Sequence, residues 1–310
     1  MEERSPELTP PLQEREKPEK PSRARARVRR ITWVAIALGV LSTGAWAAAT
    51  LARSHDAAPS PAAATAPSLA RLRVIFPEGF TRAQMADRVA AVRQIAISKR
   101  GVTPKLTRAS YLRASANARP PAEFRKDWAG KRIEGFLFPA TYDFSQYTSS
   151  GTLVRDQLQY FRREWRKVDL RYARSKNLTP YDVLIIASMI EKEAAVPDER
   201  KLVAAVIYNR LHFGMPLGID ATIRYGRNVP GTKALKESDL ESSSPYNTRR
   251  FRGLPPTPIS NPGLASIQAA AHPARVDYLY YVRKPDGIHH FFTESASEFL
   301  RKKCEYGYGC

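Results

Sequence analysis

From Val183 to Ile190 every position except Ser188 is apolar, so this stretch has no polar side to turn toward water. A helix that is apolar all round belongs in a domain interior. Thr179, Pro180 and Asp182 predict its start, as N-cap, first helical residue and first-turn acid. Leu178 and Val183 stand where a hydrophobic staple would sit. The pattern then stops abruptly at Glu191, Lys192 and Glu193, and Pro197 limits any continuation. Isolated buried charges are costly, so a buried helix that ends on carboxylates needs a reason. Residues two apart point about 200° away from each other on a helix. Glu193 therefore continues the row Ile186, Met189, Ile190, whereas Glu191 continues Leu184, Ala187, Ser188. Apolar neighbours and the negative end of the helix dipole both favour a neutral carboxyl, which makes Glu193 a candidate general acid. The plainer reading is an acid that caps or salt-bridges the next helix.

Around this stretch the pattern predicts a mixed α+β chain. Leu72, Val74 and Phe76 alternate like a short strand, and Pro77-Glu78-Gly79 turns the chain. Thr81 and Gln84 form a capping box, stapled by Phe80 and Met85, for a helix through about Ile97, and a second begins near Thr107. A further helix runs from about Leu153 to Val168. Glu199 to Phe213 carries the stripe Val203, Val206, Ile207, Leu211 with Gly214 at its C′ position. Beyond it the chain reads as loops holding Asp220, Thr222 and Tyr225, then Tyr246-Asn247-Thr248. The proline-fixed segment from Gly253 to Gly263 comes next. Stiff polar loops of this kind are usually functional. A short helix from Leu264 to Ala271, a strand from Tyr278 to Arg283 and a turn into a last strand at Gly287–Phe291 close the core.

The N-terminal part has a different texture. Residues 1–30 are rich in Pro, Glu, Arg and Lys without apolar period, which predicts disorder, and they end in a basic run. Residues 31–52 carry no charge and match the length of a bilayer-spanning helix, with Trp33 and Trp46 toward its ends. A cleaved signal peptide competes, but the long leader favours an uncleaved single-pass anchor. The basic run places the N-terminus in the cytoplasm and the bulk of the chain outside the inner membrane. An Ala/Pro/Ser linker at 53–70, a small unit at 71–128, a larger domain at 129–300 and a tail at 301–310 complete the organisation. Cys304 and Cys310, the two cysteines, lie in that tail, where an external location permits a small disulfide. None of the five histidines has zinc-like spacing, so neither metal nor cofactor is expected.

Several motifs in order resemble the YceG/MltG family of membrane-anchored endolytic murein transglycosylases. They are Glu134-Gly-Phe-Leu-Phe-Pro139 with Thr141-Tyr142, Ala187-Ser-Met-Ile-Glu-Lys-Glu193, and Tyr208-Asn-Arg-Leu211. Asp220-Ala-Thr222 with Tyr225-Gly226, Tyr246-Asn-Thr248, the Gly253–Gly263 loop, Ser266, Pro273 and Gly287/His289/Phe291 complete the set. The resemblance covers about Arg71 to Phe299. It implies that the second Glu of Glu-Lys-Glu, here Glu193, is catalytic. It also implies cleavage of MurNAc–GlcNAc bonds within nascent peptidoglycan strands, with the sugar's own C6 hydroxyl as nucleophile and a 1,6-anhydro-MurNAc end as product. One acid then suffices where hydrolysis needs two. Association with the peptidoglycan synthesis machinery is a further implication. Two departures stand out: Ala140 occupies a place where the family commonly has Asp, and only the Pro77–Thr81 half of a LysM-like region is evident.

Candidate substrate-binding residues are Asn209, Asp220, Tyr225, Tyr246 and Asn247, polar or aromatic groups on or beside the loops. Asn261 reads as a turn-shaping residue and His289 as a packed histidine. Asp220 and Glu134 keep hydrolysis open as second carboxylates. Three rivals remain: a non-catalytic, membrane-tethered cell-wall binding protein, which suits the +20 charge, a serine amidase using Ser188 with Lys192, and a nucleic-acid binder. An external location argues against the last.

Overall fold

Helix starts obey the caps written in the sequence. In a computed structural model that describes residues 71–309 except Ala129 and Lys131, β1 (Leu72–Ile75) leads into α1 (Arg82–Arg100). The Thr81–Gln84 capping box is formed, and Gly101 ends α1 in the left-handed conformation. Thr107 caps α2 (Arg108–Ala116). After a 3₁₀ turn at Ala122–Phe124 and the one-turn α3 (Arg125–Trp128), the chain enters β2 (Thr141–Phe144) and α4 (Ser150–Trp165). Next come α5 (Arg171–Ser175) and α6 (Pro180–Glu193), whose N-terminus is closed by a reciprocal Thr179–Asp182 box. A 3₁₀ turn at Pro197–Glu199 precedes α7 (Arg200–His212). The remainder comprises α8 (Asp220–Arg227), α9 (Glu237–Leu240), α10 (Leu264–Ala271), β3 (Tyr280–Arg283), β4 (His290–Thr293) and α11 (Ala296–Glu305). The expected leader, anchor and linker lie outside the described residues. No helix among those described is long and apolar enough to cross a membrane.

Two separate antiparallel pairs of strands, β1–β2 and β3–β4, accompany the helices, so the α+β expectation holds for the described part. Pairing of Leu72 with Phe144 and Val74 with Tyr142 joins residues on either side of the boundary expected near 128. The unit at 71–128 thus shares a sheet and one hydrophobic core with the larger domain. Asp220–Arg227 is the clearest departure from the sequence reading. Glycines at 218 and 226 suggest a loop there, yet the segment forms a short amphipathic helix with Thr222 and Ile223 buried. Two turns are too few for a helical period to show in sequence. Cys304 is disulfide-bonded.

Helix α6 is the centre of the core. All of its residues from Val183 to Ile190 are buried, and α7 and α10 pack directly against it. The proline-fixed loop before α10 is interior as well, from Thr257 to Gly263. Its polar groups therefore stitch the fold together instead of facing a ligand. Ser188 Oγ donates to Ile185 O and accepts from Ile259 N, while Ser260 Oγ donates to Ser188 O. Asn261, fully buried, accepts from the backbone N–H groups of Gly135 and Leu137 and donates to Phe80 O and the Glu134 carboxyl. Gly135 sits at φ +90°, where a Cβ would come within 2.7 Å of Pro258. Glu134 also accepts from Arg82 N and from Tyr225 Oη, at 2.8 and 3.2 Å. Burial, only partly opposed by these bonds, lifts its pKa to about 7.

This hub generates two stability predictions. Asn261→Ala strands buried donors and acceptors in two segments and lowers the unfolding free energy by about 3 kcal/mol in urea titrations. Glu134 titrates near its ordinary value of 4.5 when unfolded and about 7 when folded. The folded state therefore holds the extra proton between those values, and stability falls as pH rises from about 4.5 through 7. The loss amounts to about 3 kcal/mol. Glu134→Gln keeps the acceptor and flattens this slope, read as the difference between the two proteins across that window.

Candidate active site

Glu193 is the last residue of α6, at the point where the buried helix meets the β3–β4 hairpin. Alternation fixes which hairpin side chains it meets. Tyr281 pairs with Phe292 and Arg283 with His290, so these four share one face. The opposite face belongs to α11: Tyr280 stacks on Phe299 at 5.2 Å and Lys302 Nζ lies 5.6 Å from the Phe291 ring centre. On the first face, Tyr281 Oη donates to Glu193 Oε2 at 3.1 Å. His290 is buried edge-on against the Tyr281 ring, 5.4 Å away. Glu199 grips His290 twice, through its backbone N–H at 2.8 Å and its Nδ1 at 2.6 Å.

The electrostatics favour a protonated Glu193. Burial raises its pKa, the Tyr281 bond opposes the rise, the charge of Asp220 adds to it, and His290 and Arg283 oppose it again. Burial and the neighbouring Glu193 together hold the Tyr281 phenol well above its ordinary value, so Tyr281 keeps its proton and serves as donor. A carboxyl of this kind can deliver a proton to a leaving oxygen and take one back.

The five candidate binding residues occupy different places. Asp220, at the start of α8, is half-exposed, is ion-paired with Arg249 at 2.7 Å, and acts electrostatically on Glu193 and Tyr281. Tyr225 and Tyr246 form an edge-to-face pair, 5.1 Å between centres, and both keep part of their surface accessible. Tyr225 is anchored by Glu134 and Tyr246 by Thr257. Asn247 has no accessible surface, and its amide is spent on Leu240 O and Ser242 O. Asn209 donates to Val276 O and Tyr278 O, fixing the approach to β3. It also lines a cavity of about 540 Å³ with Tyr172, Lys176, Asp182, Tyr208 and His212. Asp182 lies in the first turn of α6, roughly 16 Å along the helix from Glu193, so that cavity belongs to the opposite end.

Neighbouring candidates have other occupations. Glu191 Oε2 accepts from Gly263 N at the start of α10, whereas the plainer reading placed a cap or salt bridge on Glu193 toward the next helix. Ser188 is fully buried with its hydroxyl committed to backbone, and Lys192 reaches Gly79 O. That removes the serine-amidase arrangement. His289 is exposed and bonds Asp286, in contrast to the packed residue expected there, while its neighbour His290 is the buried one. Tyr281, His290 and Glu199 are the site groups that sequence patterns do not single out. A period of two puts Tyr281 and Arg283 on one side of their strand, but nothing in the sequence says that side meets Glu193.

The chain is 36% identical over 179 residues to the endolytic murein transglycosylase of Bacillus subtilis, covering 56% of this chain and 48% of that protein. It is 33% identical over 230 residues to the protein of the same name from Streptococcus pneumoniae R6, covering 70% and 41%. The chain thus spans less than half the length of these relatives. A crystal structure of a YceG-like protein from Listeria monocytogenes superposes with a TM-score of 0.60 at 29% identity, over 75% of this chain and 76% of that one. The YceG-like family profile matches residues 42–305, well over half of the sequence, and the chain belongs to that family.

Proposed function

We propose that this protein is an endolytic murein transglycosylase that cuts MurNAc–GlcNAc bonds within nascent peptidoglycan strands. The observation that carries the reading is a single carboxyl, Glu193, whose pKa is raised by burial at the end of α6 and whose Oε2 accepts from Tyr281. The names of its relatives, endolytic murein transglycosylases, supply the substrate class. Protonated Glu193 gives its proton to the glycosidic oxygen as the C1–O bond breaks and GlcNAc leaves with a free hydroxyl. The MurNAc C6 hydroxyl then attacks C1, and its proton passes to the Glu193 carboxylate. A 1,6-anhydro bridge forms, the acid is restored, and no water is consumed.

Asp220 and the accessible parts of Tyr225 and Tyr246 contact glycan in this reading. Asn209 and Asn247 act from behind, by holding the backbone that presents the strand and the loop. Residues 31–52 anchor the chain in the inner membrane, with the N-terminus cytoplasmic and the catalytic part outside. Strands leaving the membrane, together with the machinery that makes them, are the natural partners.

Mass spectrometry of glycan strands incubated with the wild-type protein and Glu193→Gln tests this reading. Internal fragments ending in 1,6-anhydro-MurNAc are expected, reduced at least about 100-fold in the variant. Reducing ends in place of anhydro ends would mean hydrolysis with a second carboxylate, for which Asp220 and Glu134 are the candidates. Strands retained uncut by both proteins would favour a tethered cell-wall binding protein.

A further inference from the structure

The two oxygens of the Glu193 carboxyl have unequal surroundings. Oε2 is held by the Tyr281 hydroxyl at 3.1 Å. Tyr281 is in turn held from behind: the His290 ring lies edge-on to it at 5.4 Å and an interplanar angle of 88°. His290 cannot swing away, because the Glu199 carboxylate binds both its backbone N–H and its Nδ1. Both members of that pair are nearly sealed from solvent, with side-chain exposures of 3% and 9%. Two regions far apart in sequence thus meet behind one carboxyl oxygen: the 3₁₀ turn after α6, through Glu199, and the β3–β4 hairpin, through His290 and Tyr281.

From this convergence we infer that Tyr281 is the positioning residue of the reaction proposed above, braced by the His290–Glu199 pair. It pins Oε2 and leaves Oε1 as the oxygen that gives and takes the proton. The phenol is a donor in both halves of the cycle. While Glu193 is protonated on Oε1, Tyr281 donates to the carbonyl-like Oε2. Once the proton has left, it donates to a full carboxylate, and the bond strengthens as negative charge appears. A donor that binds more tightly as charge develops favours the step that develops it. The same bond also stops the carboxyl from rotating, so the proton returns to the oxygen that released it.

Other charged groups face Glu193 and must be kept constant in any test. Asp220 approaches from α8 with Arg249 paired to it, Arg283 from β3 and His290 from β4. On α6 itself, Glu191 is turned to Gly263 and Lys192 to Gly79. None of these need change when the phenol hydroxyl alone is altered.

The experiment compares wild-type full-length protein, Tyr281→Phe, and a protein carrying 3-fluorotyrosine at 281, a more acidic phenol of nearly the same shape. Carboxyl NMR titration without substrate, with the Glu193 resonance assigned by its loss in Glu193→Gln, is the first readout. Tyr281→Phe shifts the Glu193 midpoint up by about one pH unit, and fluorotyrosine shifts it down. The second readout is the pH profile of anhydro-end formation. In Tyr281→Phe, kcat falls about 10- to 100-fold, KM stays within about twofold, and the profile moves to higher pH. Unchanged titration in both proteins, or shifts of the same sign, would overturn the inference. So would a rate loss that appears wholly in KM. Because the titration needs no substrate, a failure of the proposed reaction leaves the Tyr281 test standing. Should Tyr281→Phe fail to fold, the fluorinated protein alone decides by the direction of its shift.

Discussion

A single buried amide carries the arrangement on which the rest of the structure depends. Asn261 has one acceptor and one donor group, and it uses both twice, on Gly135, Leu137, Phe80 and Glu134. Those residues belong to the turn before α1 and to the loop before β2, which no continuous sheet or long helix connects to α10. In the interior an unmade hydrogen bond costs far more than a made one contributes. The amide therefore specifies a geometry as well as stabilising it. Through Glu134 the same network reaches Tyr225, so the loop packing and the Tyr225–Tyr246 pair share one set of bonds.

The acids near the C-terminal end of α6 show how position decides chemistry. Glu191 and Glu193 are two residues apart, yet one is bound by a helix-starting N–H and the other by a phenol. Glu78 comes close to Glu191, and burial together with that neighbouring charge raises its pKa while Arg200 opposes the rise. Its carboxyl occupies the space a Cβ at position 263 would take, so a side chain there would have to displace it. Only Glu193 combines a neutral tendency with a hairpin face that supplies donors and charge without a strong ion pair. A strong partner would have held it ionised.

Most of the helices were legible because their ends are marked locally. Thr81, Thr107 and Thr179 are caps whose geometry depends on residues three positions away, and all three form as the sequence indicates. The opposite fates of Glu191 and Glu193 come from helical periodicity alone. The hidden features depend on contacts between distant segments. The polar groups of the Gly253–Gly263 loop look available in sequence, because nothing local records that the loop is buried. Asp220–Arg227 is too short to display its period. His290 differs from His289 only in which face of β4 it occupies, and that is set by pairing with a strand whose partner helix is nearly a hundred residues upstream. A sequence shows periods and caps; it does not show which two periods meet.

The β3–β4 hairpin has a bearing on when activity can begin. Glu193 is made well before Tyr281 and His290, because translation proceeds from the N-terminus. Until the last strand has emerged and paired, the acid ends its helix with no phenol to orient it and no brace behind that phenol. The setting of the Glu193 carboxyl is thus incomplete until β4 has been made and has paired with β3. For the reaction proposed above such an order is an advantage: unfinished copies carry the acid but not the setting that makes it selective for one oxygen.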